Sequence, residues 1–172
     1  HKCKYCHASA VSMEKNWTDL DRDTAKKIVD TIFFTTAPFV TIEFQWWEPL
    51  VNWDIIKFIV EYAEYKSIQV NKAVKFALVS NMSLMSDDKL KYLLDHNVWI
   101  NTSLDGDEKT HNFNRVYNSG NSYELTLNWI WKINQEYRSR FWQNYPITPL
   151  LTVTRETLKN WKSCIDTYIE LW

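Results

Sequence analysis

Two cysteines near the start of the chain, Cys3 and Cys6, have the spacing of a ligand or redox pair. They form a Cys-x-x-Cys sequence that is preceded by His1 and followed directly by His7. This pattern is compatible with c-type haem attachment, zinc binding, thioredoxin-like redox exchange, or ligation of an iron–sulfur cluster by soft thiolates. Haem of this type belongs to mostly helical domains, and zinc sites usually pair two distant Cys/His clips, whereas no second clip follows in this sequence. The spacing alone does not choose among the chemistries.

Helical and strand-like patterns alternate along the rest of the chain. We predict strands at 39–45, 74–80, 98–104 and 147–153. Apolar residues at helical spacing predict helices after Asp21, over 55–63, after Ser86, from Ser122 and around Cys164. Strands separated by helices of about 10–15 residues form parallel sheets with right-handed crossovers. The pattern predicts an α/β fold with one more strand before His1, and it fits either a barrel or an open sheet.

Polar residues lie where these strands end, which is where functional residues gather in parallel α/β folds. Glu48 follows the first predicted strand and Asn81 the second, while Ser103 lies at the end of the third. Arg115 belongs to the segment that follows Ser103, and residues 152–155 form a weaker candidate after the fourth strand. The rule therefore selects these segments, together with the cysteine pair, as a candidate site.

Length and charge limit the classes of partner. The chain has 172 residues, enough for one sizeable domain, and a formal net charge of −1. We expect no nucleic-acid partner because there is no long Lys/Arg run, and no membrane partner because no apolar run could span a bilayer. Both ends look truncated, since the chain begins at His1 rather than Met and ends within an apolar pattern. The lack of a signal peptide therefore carries no information.

Three motifs, in this order, resemble those of radical S-adenosylmethionine (radical SAM) enzymes. The segment from Cys3 to Cys6 resembles the second half of their Cys-x3-Cys-x2-Cys motif, with Tyr5 as the aromatic residue before the last cysteine. The segment 46–49, Trp-Trp-Glu-Pro, stands where the family has Gly-Gly-Glu-Pro. Residues 103–106, Ser-Leu-Asp-Gly, with a following His and Asn-Arg, are similar to a stretch of the subfamily that modifies proteins and peptides.

The resemblance implies a partial (β/α) barrel of radical SAM type, with parallel strands and outer helices, truncated at both ends. Residues 1–172 would be one core domain that lacks its first strand, its first cluster cysteine and its C-terminal part. The implied cofactors are a [4Fe–4S] cluster and S-adenosylmethionine (SAM), whose reductive cleavage gives a 5′-deoxyadenosyl radical. The implied partners are a peptide or protein substrate and a reducing electron donor, in the cytoplasm. Maturases of His-Xaa-Ser peptide systems are the most similar group, and anaerobic sulfatase maturases are more distant.

The resemblance also implies roles for single residues. Cys3 and Cys6 would be cluster ligands, and Tyr5 would pack beside the adenine or the cluster or be a surface aromatic residue. Glu48 would accept a hydrogen bond from the SAM ammonium or be an ordinary surface carboxylate. Ser103 would contact the ribose or carboxylate of SAM or cap the backbone at the strand end. Three more assignments keep an alternative: Asn81 lines the pocket or shapes a turn, Arg115 pairs with the SAM carboxylate or is a solvated loop residue, and Asp105-Gly106 makes a turn rather than chemistry. Cys164 is expected in the core.

The departure from the family pattern lies in tryptophan. Trp46 and Trp47, before Pro49, occupy both glycine positions of the SAM-binding motif, and Trp99 and Trp172 also stand where related sequences tend to have glycine. The chain has 2 Gly and 10 Trp, where average usage predicts about 12 Gly. We hypothesise that UGA codons, read as glycine in the source organism, are written here as tryptophan. The alternative is genuine tryptophan in an inactive barrel remnant that acts as a binding module.

Overall fold

A computed structural model describes residues 1–6, 19–45, 47–145 and 147–171. Six strands are defined in it: β1 Lys2–Cys3, β2 Phe39–Phe44, β3 Ala73–Ser80, β4 Val98–Ser103, β5 Arg115–Val116 and β6 Pro149–Leu150. Seven α-helices alternate with them: α1 Arg22–Phe33, α2 Trp53–Val70, α3 Asp87–Asp95, α4 Glu108–Asn114, α5 Ser122–Phe141, α6 Arg155–Lys159 and α7 Trp161–Leu171. A short 3-10 helix, Pro49–Asn52, precedes α2.

The chain divides into two compact units. The first unit contains residues 1–10, 80–83 and 101–172, and the second contains residues 11–79 and 84–100. Strand β4 passes from the second unit into the first. No helix among the described residues is both long enough and apolar enough to cross a membrane.

In the second unit, β2 pairs in parallel with β3, from Phe39 opposite Ala73 to Phe44 opposite Leu78, and β4 is the next strand in the order. Every second residue of β2 is buried, as expected for a strand with one face on a core. Helices α1 and α2 pack together through their apolar faces. Asp21 caps α1 by accepting a hydrogen bond from the backbone N–H of Thr24 at 2.9 Å, and Ser86 caps α3.

In the first unit, β6 pairs in parallel with β4, with Ser103 opposite Leu150. Strands β1 and β5 form a separate antiparallel pair, in which Cys3 lies opposite Arg115. The predicted α/β fold with parallel strands is thus confirmed. The fourth strand, Pro149–Leu150, is shorter than the predicted 147–153, because the N–H of Thr152 donates to the Oδ1 of Asp105 and not to a neighbouring strand.

Helix α5 ends in a left-handed residue. Trp142 has φ 59° and ψ 22°, and its N–H donates to the carbonyl of Arg138 at 3.0 Å. This geometry terminates many helices, and the residue at that position is usually glycine because a Cβ is strained there. The Trp142 side chain is 92% exposed, so packing does not explain an indole at this position.

Candidate functional site

Cys3 and Cys6 lie in one tight turn of the first unit. The N–H of Cys6 donates to the carbonyl of Cys3 at 3.1 Å, and neither cysteine forms a disulfide. Cys3 is half-buried and Cys6 is exposed. The turn is attached by the β1–β5 pair and by a hydrogen bond from the N–H of Lys4 to the carbonyl of Asn114 at 2.9 Å. It therefore presents two thiols on a short loop with a defined backbone.

A buried ion pair lies next to this turn. The guanidinium of Arg115 forms a bidentate ion pair with the carboxylate of Asp105: Nε lies 2.9 Å from Oδ2, and Nη2 lies 3.3 Å from Oδ1. Asp105 is fully buried and Arg115 is 7% exposed. The carboxylate also accepts hydrogen bonds from the Tyr5 hydroxyl at 2.9 Å and from the N–H of Thr152 at 3.0 Å. Four donors thus compensate the loss of water around a buried carboxylate.

This ion pair corrects one of our sequence interpretations, since Arg115 is buried and paired with Asp105 and is not a solvated loop residue. The alternative, that Arg115 pairs with the SAM carboxylate, stays a prediction. The turn predicted at Asp105-Gly106 is present, with φ 85° at Gly106, and Asp105 is in addition the centre of a polar network. Sequence reasoning missed Asp105 because nothing in its local pattern indicates burial, although its place in the Ser-Leu-Asp-Gly motif marked the segment.

Arg115 also faces the cysteine turn. Its Nη1 lies 4.0 Å from the Sγ of Cys3, and its guanidinium carbon lies 5.3 Å from the centre of the Tyr5 ring. Burial raises the pKa of the Cys3 thiol, and the charge of Arg115 opposes that shift. Burial likewise raises the pKa of Tyr5, again with Arg115 acting in the opposite direction. The first unit thus brings together Cys3, Tyr5 and Arg115, three of the predicted site residues.

The strand-end residues Ser103 and Asn81 also belong to the first unit. Ser103 is half-buried at the end of β4. Asn81 accepts a hydrogen bond at its Oδ1 from the N–H of Ser83 at 2.9 Å, so its side chain stabilises the turn after β3. This contact agrees with the turn interpretation of Asn81; a role in the pocket stays a prediction.

His111, the histidine of the motif after Ser103 to which we gave no role, also contacts this network. His111 is fully buried; its Nδ1 accepts a hydrogen bond from the N–H of Asp105 at 3.1 Å, and its Nε2 lies 2.9 Å from the Oγ of Ser122. That hydroxyl also lies 2.8 Å from the Nε2 of His1. Burial, with a smaller contribution from the charge of Arg115, lowers the pKa of His111 to about 3. A neutral His111 therefore accepts at Nδ1 and donates at Nε2.

The remaining site candidates lie in the second unit. Trp46 is outside the described residues; Trp47 has a positive φ of 26° and is 38% exposed. Glu48 is buried and extended, as we expect for a residue before proline, and its Oε1 accepts from the N–H of Leu50 at 3.1 Å. Pro49 then begins the 3-10 helix. Trp99, by contrast, is not among the positive-φ residues, so its backbone does not require glycine.

The described residues contain no group of three or more His, Cys, Asp or Glu side chains that could hold a metal ion. Within the described residues, the N-terminal turn offers two thiol donors close in sequence, Cys3 and Cys6, and neither is in a disulfide. Soft thiolates on a short loop suit iron–sulfur ligation, and two of them would need a further cysteine from outside the described residues.

Comparison with known proteins identifies the family. Residues 1–162 match the model of the Radical SAM superfamily. The chain belongs to this superfamily. Its members use a [4Fe–4S] cluster and S-adenosylmethionine. Two curated relatives match part of the chain. An uncharacterized protein of Methanocaldococcus jannaschii is 28% identical over 69% of this chain and 38% of its own length. The radical SAM cyclopropyl synthase TigE of Paramaledivibacter caminithermalis is 23% identical over 66% of this chain and 26% of its own length.

Solved structures agree in fold. Native anSMEcpe with bound AdoMet superposes with a TM-score of 0.80 at 18% identity, and its form with bound AdoMet and the Kp18Cys peptide gives 0.81 at 19%. Each match covers 98% of this radical SAM chain and 44% of the other chain. The predicted α/β architecture of radical SAM type, a partial barrel, is thereby confirmed. The chain spans less than half of the length of these relatives and structures.

Proposed function

We propose that this chain is the cluster-bearing part of a radical SAM enzyme that modifies a peptide or protein, with Cys3 and Cys6 as cluster ligands. The observation that carries the proposal is the turn that holds Cys3 and Cys6, neither of them in a disulfide, with Arg115 beside Cys3, in a chain that belongs to the superfamily. When bound, the two cofactors supply one-electron cleavage of SAM to methionine and a 5′-deoxyadenosyl radical, which takes a hydrogen atom from the substrate. A reducing electron donor and a cytoplasmic location stay predictions.

The residues of the chain would position these cofactors. Tyr5 is fixed by its bond to Asp105, so its ring would offer an apolar wall beside the cluster or the adenine. Ser103 would offer its hydroxyl to the ribose or carboxylate of SAM. Glu48 keeps a buried carboxylate, which would accept from the SAM ammonium once the ligand competes with the N–H of Leu50.

A solved structure of the same fold supports a peptide or protein substrate. It holds AdoMet together with the Kp18Cys peptide. The Ser-Leu-Asp-Gly segment that suggested the peptide-modifying subfamily is also the segment that supplies Asp105 to the network beside Cys3.

The glycine hypothesis belongs to the same proposal. Trp47 has a φ of 26°, in a region that L residues with a Cβ rarely adopt and that glycine adopts freely. With glycine at 46 and 47, the backbone could approach the methionine end of SAM; two indoles would fill that space. We therefore propose that both positions are glycine in the native protein, and that tryptophan there prevents SAM binding.

Cluster loading tests the ligands. A longer protein that includes the upstream cysteine should take up about four iron and four sulfide per chain after anaerobic reconstitution. Cys3→Ala and Cys6→Ala should each lose most of this iron, whereas Cys164→Ala, which removes a buried thiol from α7, should keep it. Stoichiometric zinc without iron uptake would contradict the proposal.

Calorimetric titration with SAM tests the glycine positions in the same longer protein. The variant with Trp46→Gly and Trp47→Gly should bind SAM, and the tryptophan form should not. Tight binding by the tryptophan form would refute the glycine hypothesis. Failure of both forms in a fully loaded protein would favour the inactive barrel remnant.

A further inference from the structure

Arg115 divides its nitrogen atoms between Asp105 and the Sγ of Cys3. The guanidinium uses Nε and Nη2 to hold Asp105, and its Nη1 lies 4.0 Å from the Sγ of Cys3. We propose that Arg115 is a positioning residue that donates to the Cys3 sulfur and thereby makes the cluster bound there easier to reduce. This inference rests on the proposed function, because it requires Cys3 to be a cluster ligand.

The geometry leaves Arg115 little freedom to turn away. Asp105 is itself fixed by the Tyr5 hydroxyl and by the N–H of Thr152, so the carboxylate that grips the fork has a defined orientation. The backbone adds a second restraint, since Cys3 and Arg115 are opposite each other in the β1–β5 pair. A bidentate ion pair that is almost fully buried is an ordered and directional donor.

The charges beside the sulfur do not cancel. Two nitrogens of the guanidinium, Nε and Nη2, are engaged by Asp105, whereas the third, Nη1, lies 4.0 Å from the Sγ of Cys3. The pair therefore presents its positive side to Cys3. Reduction adds negative charge to an iron–sulfur cluster, and hydrogen bonds to its sulfurs favour the reduced state. The Arg115 contact should thus raise the reduction potential.

Removing Arg115 alone would leave a fully buried Asp105 without its partner, which is strongly destabilising. The informative variant is the double one, Arg115→Met with Asp105→Asn, because it removes both charges together. Asp105→Asn alone keeps the positive charge and removes the negative one. Arg138→Met is the matched control, since Arg138 is an exposed residue of the same unit that binds Asn144.

The experiment is a redox titration of the reconstituted longer protein, followed by the electron paramagnetic resonance signal of the reduced cluster, with iron counted in each sample. We expect the double variant to keep its iron and to lower the equilibrium constant for reduction at least tenfold, which is about 59 mV for one electron. Asp105→Asn should shift the constant in the opposite direction, and Arg138→Met should leave it unchanged. A purely structural role would not give shifts of opposite sign.

An unchanged constant in an iron-loaded double variant would overturn this inference and leave the proposed function intact. Lack of iron uptake by the unaltered longer protein would instead refute the proposed function. If both Asp105 variants lose iron, Arg115→Lys decides. A single ammonium cannot bind Asp105 bidentately and also face Cys3. The equilibrium constant for cluster reduction in this variant must therefore fall at least threefold, and an unchanged constant would overturn the inference.

Discussion

Replacing Trp142 with glycine should stabilise this chain, although it deletes a large side chain. Trp142 follows α5 in the left-handed region, with φ 59° and ψ 22°, and its side chain is 92% exposed. An L residue with a Cβ is disfavoured there by roughly 1–2 kcal/mol, whereas glycine adopts this conformation without steric strain. The indole buries little surface, so its removal forfeits little hydrophobic free energy.

The magnitude follows from these opposing effects. Relief of the strain is offset in part by the larger backbone entropy of glycine in the unfolded chain, roughly 0.5–1 kcal/mol. We expect a net gain of about 1 kcal/mol in the free energy of unfolding. For a chain of 172 residues, that gain raises the Tm by about 2–4 °C.

Trp131→Gly is the matched control for thermal and urea unfolding. Trp131 lies inside α5 and is 65% exposed, so the same substitution removes a similarly exposed indole from a helical position. Glycine in a helix interior should destabilise the chain by roughly 0.3–0.5 kcal/mol relative to tryptophan, since both residues form helices less readily than alanine. The two substitutions should therefore change stability in opposite directions. Destabilisation by Trp142→Gly as large as that by Trp131→Gly would refute the reasoning.

Three further predictions concern the codons, His111 and Gly106. The codon for Trp142 should be UGA, as should that for Trp47; sequencing the gene checks this, and UGG at both would contradict the glycine hypothesis. The pKa of His111 is lowered from its ordinary 6.5 to about 3, so its neutral form stabilises the fold. The free energy of unfolding should accordingly fall as the pH drops from 6.5 towards 3, by up to about 1.4 kcal/mol per pH unit, and His111→Gln should flatten this slope in urea titrations. Gly106→Ala should lower the Tm, because a Cβ there would clash with the Sγ of Cys164 and because φ is 85°, which strains any residue with a Cβ. Adding Cys164→Ala should restore part of the lost Tm. Full recovery would contradict the expected backbone strain at φ 85°.

The sequence predicted the regular elements well and the site network poorly. Strands β2, β3 and β4 were predictable because alternation and apolar runs are local signals, and Asp21 and Ser86 marked helix starts by their capping chemistry. The two-residue strands β1 and β5 have no periodicity to detect. The partners of Arg115 were also beyond reach, since Asp105 and Tyr5 meet it only through tertiary structure, and a charged residue gives no local sign that it will be buried.

The packing of Cys164 against Gly106 makes α7 observable by thiol labelling. Cys164 is 4% exposed, and burial raises the pKa of its thiol, so it is both shielded and a poor nucleophile in the folded chain. Cys6 is exposed and should react with an alkylating reagent first, followed by the half-buried Cys3. A reagent reaches Cys164 only when α7 leaves its place beside Gly106. The rate of this slow third modification therefore reports how often α7 opens, and it needs no engineered label because Cys164 belongs to the chain itself.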